Sequence, residues 1–316
     1  MKNRIVYAVA WVCYWLGIVH LFYFLNRRCK RVLTFHNVLP DELMRDDDGG
    51  GMSLSVSEFR NILREIGRFY TFSTNFDDTG SVTLTFDDGF LNQYEIVPEV
   101  LGEIPAVLFV AGSNLDREEL KDAPAVDLLT VWLAHTPTVR GNRMAYWVHV
   151  LRPQYAKDVE AYGRNVVRSC DGQYPFEDLF RALPTDYLRL RLGGISSAQL
   201  ENLRVRGWKI GWHSFHHYVL SAIPEEAKKM EFEAPEIFRG SPMSYPYGER
   251  VSVSVADQKW AKRAGFPLAF SNLPDADPEN RFFLPRFSVP SEKILLHFHL
   301  SGLRYFLKNG RLLPRA

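Results

Sequence analysis

The stretch Ser81–Phe90 most constrains how this chain can fold, because it has the pattern of a strand that ends on two acidic residues. Apolar and threonine side chains alternate up to Phe86, which is the period of two expected of a β-strand. Asp87, Asp88 and Gly89 follow directly. Glycine gives the backbone the freedom to turn at this point, so both carboxylates can reach one cavity at the strand's end.

Two adjacent carboxylates favour a division of roles, since one suits a metal ion and the other a proton. The alternative for a bare Asp-Asp-Gly is an acidic turn that caps the following helix. The downstream pair His213 and His217 favours the first interpretation, because positions four apart share one side of a helical turn and have the spacing of paired metal ligands. Asp88 as a third ligand would leave positions open for water and substrate. A histidine-rich surface turn is the alternative for the pair.

Together these segments resemble the polysaccharide deacetylases (NodB-homology family), which are the family-4 carbohydrate esterases. The resemblance rests on the Asp-Asp-Gly sequence, the histidine pair, Ser244–Gly248 and Leu284–Arg286, and it covers about residues 31 to 290. It implies an α/β fold, a distorted (β/α)7-type barrel, with its active site at the C-terminal ends of the strands.

The resemblance implies a metal-dependent hydrolase that removes acetyl from an N-acetylated sugar. Asp88, His213 and His217 would hold a divalent ion, and this nitrogen and oxygen ligand set favours Zn²⁺. Asp87 would be the general base, and the backbone N–H of Tyr247 would contribute to an oxyanion hole. Two alternatives stay open: a glycan O-deacetylase or deformylase that uses the same site, and an inactive, membrane-tethered glycan-binding protein.

One position departs from the usual pattern of the family. Tyr245 stands where the usual form carries the arginine that orients the catalytic aspartate. We expect Arg286 to take over this role, and an ordinary surface ion pair is the alternative for Arg286.

Protonation of the leaving amine requires an acid, and two histidines compete for this role. His36–Pro40 resembles the N-terminal element of family members whose barrel order is permuted, which implies that His36 is the acid. We expect a neighbouring carboxylate to hold its imidazole protonated. The competitor, His297, falls inside an amphipathic helix predicted between Pro290 and Leu307, so we predict His36.

A membrane anchor is predicted at residues 1–30, ahead of a catalytic domain at residues 31–316. Ile5–Leu25 is apolar apart from one histidine and one glycine, and at helical rise it would span about 30 Å, enough for a bilayer core. No small-residue cleavage site follows, which favours a retained transmembrane helix over a cleaved signal peptide. The excess of basic residues after the segment favours a cytoplasmic catalytic domain, with a periplasmic or extracellular one as the alternative.

Composition limits the partners. A chain of 316 residues that is 46% hydrophobic can bury one large core, and a net charge of +1 gives no case for nucleic acid. The expected partners are a membrane and an N-acetylated glycan, either free or lipid-linked. An insert at about residues 123–195 is rich in aromatic residues and arginine, and it could form a sugar-stacking wall, a membrane-contacting lid or a plain helical insertion. The oligomeric state is not predicted.

Overall fold

The structure, a computed structural model, describes residues 2–44, 53–124, 127–128, 131, 181 and 183–313. Most of the predicted insert at 123–195, including the aromatic residues that define it, lies outside the described residues. The described strands are β1 (Arg31–Phe35), β2 (Asn37–Leu39), β3 (Ser53–Ser55), β4 (Thr71–Phe72), β5 (Ser81–Phe86), β6 (Ala106–Val110), β7 (Lys209–Trp212), β8 (Met243–Ser244), β9 (Ala269–Phe270) and β10 (Phe287–Ser288).

The helices lie between and around these strands. They are α1 (Lys2–Trp15), α2 (Ile18–Leu25), α3 (Val56–Gly67), α4 (Asn92–Glu95), α5 (Val97–Leu101), α6 (Thr185–Leu192), α7 (Ser197–Val205), α8 (Glu225–Phe232), α9 (Val255–Arg263), α10 (Lys293–Leu300) and α11 (Leu303–Asn309).

A parallel sheet forms the centre of the molecule, in the order β10-β1-β5-β6-β7-β8-β9, with β4 paired to the start of β5. β1 and β5 run in register, with Leu33 opposite Leu84. Leu284 forms an isolated bridge with Phe270 of β9, and β10, which begins shortly afterwards, pairs with β1. One short segment therefore contacts strands at both ends of the sheet. The sheet therefore curls into a half-barrel, and the predicted α/β class is confirmed.

Strand β5, which precedes the acidic pair, is buried at every residue. Its threonine hydroxyls are satisfied inside the protein: Thr85 Oγ1 donates to the carbonyl of Leu33 (2.8 Å) and Thr83 Oγ1 to that of Ser73 (2.5 Å). The alternating pattern in the sequence therefore belongs to a fully buried strand. Such a strand is a rigid support for the residues that follow it.

The N-terminal apolar segment forms two helices rather than one. Gly17 adopts a φ of 74°, in the left-handed region, and the two helices meet there at 83°. Among the described residues no single helix is long and apolar enough to span a membrane, and only this bent pair meets the requirements of length and composition, when its two helices are taken together. The predicted transmembrane helix over Ile5–Leu25 is therefore not found as a continuous element.

The predicted C-terminal helix is also divided, because Gly302 adopts a φ of 82° between α10 and α11. His297 lies inside α10, as the sequence pattern predicts.

Candidate metal and catalytic site

The acidic pair lies where β5 ends and the chain turns sharply. Asp88 adopts a φ of 87° and Gly89 a φ of 82°, so two successive residues occupy the left-handed region. For an aspartate this backbone is unusual, and residues of this kind cluster at functional sites. The Asp88 carbonyl accepts hydrogen bonds from the N–H of Ala111 (3.2 Å) and from Asn114 Nδ2 (3.1 Å). The turn is thus held in place, and both carboxylates are buried.

The two histidines converge through a turn and not through the helical turn that the sequence spacing predicts. Ser214 and His217 have φ angles of 61° and 59°, and the segment between β7 and the following loop is irregular. The N–H of Gly112 donates to the carbonyl of Ser214 at 2.9 Å, which ties this turn to the end of β6. The imidazole rings of His213 and His217 lie 5.0 Å apart.

Asp88, His213 and His217 together offer three donor atoms, all within 4.8 Å of one another. Asp88 Oδ1 lies 3.4 Å from His213 Nε2 and 3.2 Å from His217 Nε2. His213 Nδ1–H donates to the carbonyl of Ser244 at 2.9 Å, which leaves the Nε2 lone pair directed at Asp88. One carboxylate and two imidazoles in this arrangement could hold a divalent metal ion.

Beside these donors, Arg286 holds Asp87 with two parallel hydrogen bonds. Its terminal nitrogens lie 2.7 Å from Oδ1 and 2.7 Å from Oδ2, and its Nε donates to the carbonyl of Ser271 at 2.8 Å. Both side chains are almost completely buried. Tyr245 points away from the pair and donates its hydroxyl to the carbonyl of Phe282. Arg286 therefore occupies the position relative to the aspartate that we expected of it.

The surroundings keep both carboxyl groups ionised. Burial raises the pKa of Asp87, but the charges of Arg286 and His213 outweigh this effect and the net pKa lies below its ordinary value. Burial also raises the pKa of Asp88, but the neighbouring imidazoles of His213 and His217 outweigh this effect and hold the net pKa well below its ordinary value. Two carboxylates in one cavity thus carry different partners, a guanidinium for one and two imidazoles for the other.

His36 follows β1 directly and belongs to the same cluster. Burial lowers its pKa, and this effect outweighs the opposing charges of Asp88 and Asp87. Burial therefore opposes the charged form, which we expected a neighbouring carboxylate to favour. The carbonyl of His36 accepts a hydrogen bond from Gln93 Nε2 at 2.8 Å, which anchors the backbone at this position.

His297 lies in a different environment. Its Nδ1 is 2.9 Å from the hydroxyl of Tyr23, and its Nε2 is 3.0 Å from a carboxylate oxygen of Glu65. Within the described part of the chain, its ring contacts involve Tyr14, Tyr23 and Phe69 and none of the predicted site residues.

Tyr247 lies against the histidine pair. It has a φ of 60°, and its ring centroid is 4.9 Å from that of His217. Burial raises the pKa of its hydroxyl far above the ordinary value, and the hydroxyl has no hydrogen-bond partner among the described residues. The structure therefore brings Tyr247 to the site, together with Asp87, Asp88, His36, His213, His217 and Arg286.

Sequence reasoning missed two acidic residues that bear on this site. Asp127 lies within reach of the charges of Asp88 and His217, and its own burial, followed by the charge of Asp88, raises its pKa to about 6. Neither a motif nor a strand end marks this residue in the sequence. It belongs to the predicted insert, so part of that insert reaches the site.

The second missed residue is Glu231, at the end of α8 and 1% exposed. Its carboxylate accepts hydrogen bonds from the N–H of Phe215 (3.1 Å) and the N–H of His216 (3.0 Å), and it lies 2.6 Å from His216 Nδ1. Its carbonyl accepts a further bond from Trp212 Nε1. Glu231 thus clamps the turn that carries the two candidate metal ligands.

Comparison with known proteins bears on the fold. Neither a family model nor a curated protein matches the sequence significantly. Among solved structures, BA0330 from Bacillus anthracis, assigned as a polysaccharide deacetylase, is similar with a TM-score of 0.50 and 14% identity, over 86% of this chain and 68% of that one. IcaB from Ammonifex degensii has a TM-score of 0.47 and 17% identity, over 87% and 97% of the two chains. The Streptococcus pyogenes deacetylase PplD has a TM-score of 0.48 and 12% identity, over 83% and 92%. At such identities a likeness speaks for the fold alone. This chain therefore has the NodB-type fold of the polysaccharide deacetylases.

Proposed function

We propose that this protein is a metal-dependent deacetylase that hydrolyses the N-acetyl group of an acetamido sugar in a glycan. The observation that carries the proposal is that candidate metal ligands and a candidate general base lie in one buried cluster. Three converging metal donors, Asp88, His213 and His217, stand beside a carboxylate that Arg286 orients. This combination suits hydrolysis, since one set of residues can activate an amide while the other accepts a proton.

Asp88, His213 and His217 would hold the divalent ion, and we propose Zn²⁺. Such an ion supplies a Lewis acid for the amide carbonyl and lowers the pKa of a bound water molecule. The protein prepares the ligands: the carbonyl of Ser244 fixes the tautomer of His213, and the adjacent imidazoles of His213 and His217 keep the Asp88 carboxylate ionised.

Asp87 would act as general base. Arg286 donates one hydrogen bond to each of its carboxylate oxygens, which fixes the plane of the group and leaves lone pairs for a water proton. His213 Nε2 lies 3.9 Å from Asp87 Oδ2, so the base stands directly beside the proposed metal ligands. Asp87 would thus be placed to accept a proton beside the metal ion that those ligands would hold.

His36 would protonate the leaving amine, and the backbone N–H of Tyr247 would help to stabilise the oxyanion. Because burial lowers the pKa of His36, its imidazole would gain a proton during the reaction and then donate it to the amine. Asp87 and Asp88 favour its charged form, and transfer of the water proton within this cluster would supply it.

We also propose that the enzyme works at a membrane, held there by its N-terminal segment, on a free or lipid-linked glycan. The apolar residues of this segment support the localisation, and the basic residues that follow it favour the cytoplasmic face.

Release of acetate or formate by the full chain, freed of metal and then reloaded with Zn²⁺, tests the proposed function. The panel consists of N-acetylated, O-acetylated and N-formylated oligosaccharides. We expect Zn²⁺-dependent release from the N-acetylated members. Release from the O-acetylated or formylated members alone would favour the alternative esterase or deformylase. Binding of the glycans without any release would show a binding protein.

A further inference from the structure

The N-terminal helix pair, α1 and α2, presents an apolar outer surface. Trp15 is 67% exposed, Leu16 70% and Phe24 61%, and Trp11 and Leu21 are about half exposed. Trp11 and Trp15 lie side by side, with ring centroids 6.2 Å apart. Soluble monomers rarely expose so many large apolar side chains in one short segment, so this surface calls for a partner.

The inner surface of the pair is built into the domain. Tyr23 stacks on Phe69 with a centroid distance of 4.0 Å and bonds His297 through its hydroxyl. Asn26 is fully buried, donates to the carbonyl of Ser301 (2.8 Å) and accepts from the N–H of Leu313 (3.2 Å). A straight helix that left the domain to cross a bilayer would have to break these contacts. The bent form with one free face is therefore the stable arrangement.

The charged residues around this apolar face indicate which kind of partner it binds. The first forty residues contain no aspartate or glutamate, whereas Arg4, Arg27 and Arg28 are exposed there. The guanidinium of Arg27 lies over the ring of Phe24, 4.1 Å from its centroid, so positive charge adjoins the apolar face directly. Aromatic side chains beside arginines match the interface of an anionic bilayer, where rings settle at the level of the headgroups and cations meet phosphate.

We propose that α1 and α2 lie in the plane of an anionic phospholipid surface and bind it from one side, without crossing it. The proposal deepens the membrane localisation proposed above and is independent of the chemistry at the metal site. Interfacial helices bind in this way, with the apolar face lowered among the acyl chains and the basic residues among the headgroups.

This arrangement also sets where the glycan meets the enzyme. The helix pair joins β1 at its N-terminal end, whereas His36 follows its C-terminal end, a separation of about five residues or roughly 17 Å. The reacting acetamido group would then stand off the bilayer surface, on a sugar beyond the headgroup layer.

Sedimentation of the full chain with vesicles tests the proposal. The vesicles are made either of phosphatidylcholine alone or of phosphatidylcholine with phosphatidylglycerol. We expect binding at least tenfold tighter to the anionic vesicles. The variant Trp11→Ser/Trp15→Ser/Phe24→Ser should lose binding to both, and Arg27→Gln/Arg28→Gln should lose the preference for the anionic lipid. The control is Val205→Ser, since Val205 is an exposed apolar residue on α7, and this variant should bind as the parent chain does.

A protease-cleavable tag placed before Met1 separates surface binding from crossing. In-plane binding leaves the tag outside the vesicle and open to complete cleavage, whereas a protected tag would overturn the proposal. Unchanged vesicle binding by the triple variant would also overturn it, as would dimerisation through this face in place of vesicle binding. Acetate release in solution by the same variants reports on the metal site separately, and we expect it to be unchanged.

Discussion

At the scale of single residues, the two adjacent aspartates differ through their partners. Asp88 faces two imidazoles, and Asp87 faces a guanidinium. Asp88→Asn or His217→Ala should therefore lose bound metal, whereas Asp87→Asn should keep it and lose turnover by about 10² to 10⁴. Metal content by atomic absorption and acetate release measure the two effects. Metal loss on Asp87→Asn together with retention on Asp88→Asn would reverse the assignment.

The Asp87–Arg286 pair should also matter for stability. Arg286→Gln leaves a buried carboxylate without its cation, which costs about 3–5 kcal/mol in the free energy of unfolding. Arg68→Gln is the matched control, because Arg68 forms an exposed ion pair with Glu65 that is worth at most about 1 kcal/mol. Denaturant unfolding measures both.

Adding Asp87→Asn to Arg286→Gln should recover part of the loss, since the unpaired charge disappears. Equal losses for Arg286→Gln and Arg68→Gln would mean that the buried pair contributes nothing beyond a surface pair.

The two histidines that compete for the acid role can be separated in the same way. His36→Ala should keep bound metal and the fold but lose most turnover, because the imidazole that we propose as proton donor to the leaving amine is removed. His297→Ala should retain near-normal turnover, since its ring bonds Tyr23 and Glu65 at the N-terminal helix pair. Steady-state rates and circular dichroism of both variants test this. The opposite pattern would show that the permuted order is the wrong interpretation.

At the scale of elements, the site depends on a helix end that contributes no metal ligand. Glu231 of α8 accepts the N–H bonds of Phe215 and His216, between the two candidate ligands. Glu231→Ala should weaken Zn²⁺ affinity about 10- to 100-fold, which is the range for groups that orient metal ligands. Glu231→Gln should restore part of it, because one acceptor oxygen is kept. Competition with a chromogenic chelator measures the affinity.

Glu226→Gln on the same helix is the control, because this residue is exposed. If Glu231→Ala lowers the free energy of unfolding but leaves the Zn²⁺ affinity of the folded form unchanged, Glu231 stabilises the helix and does not orient the ligand turn.

At the scale of the whole molecule, metal binding and folding should be linked. The three donors follow the ends of two strands, Asp88 after β5 and both histidines after β7, and they meet only in the folded chain. Metal at about 100 times its dissociation constant should thus raise the free energy of unfolding by about 2.7 kcal/mol. Denaturant unfolding with Zn²⁺ and with a chelator measures this difference. Asp88→Asn should show no such difference, and a difference of equal size in that variant would place the metal elsewhere.

The sequence by itself determined the elements that depend on local pattern. The alternation before Asp87 predicts β5, the motif order predicts the NodB-type fold, and the helical periodicity around His297 predicts α10. These features follow from the period of side chains along a strand or helix, which neighbouring residues specify without help from the rest of the chain. The choice of Arg286 as partner of Asp87 needed the family resemblance as well, because 199 positions separate the two residues.

Only the tertiary structure decided how distant segments meet. The left-handed turn that brings His213 and His217 together, the clamp by Glu231 and the lowered pKa of His36 all depend on packing between elements. The bend at Gly17 belongs to the same group, since hydropathy alone predicts a straight span and the contacts of Tyr23 and Asn26 hold the bent form. Burial and long-range hydrogen bonds determine such features, and the linear sequence pattern does not show which distant residues will be neighbours in the fold.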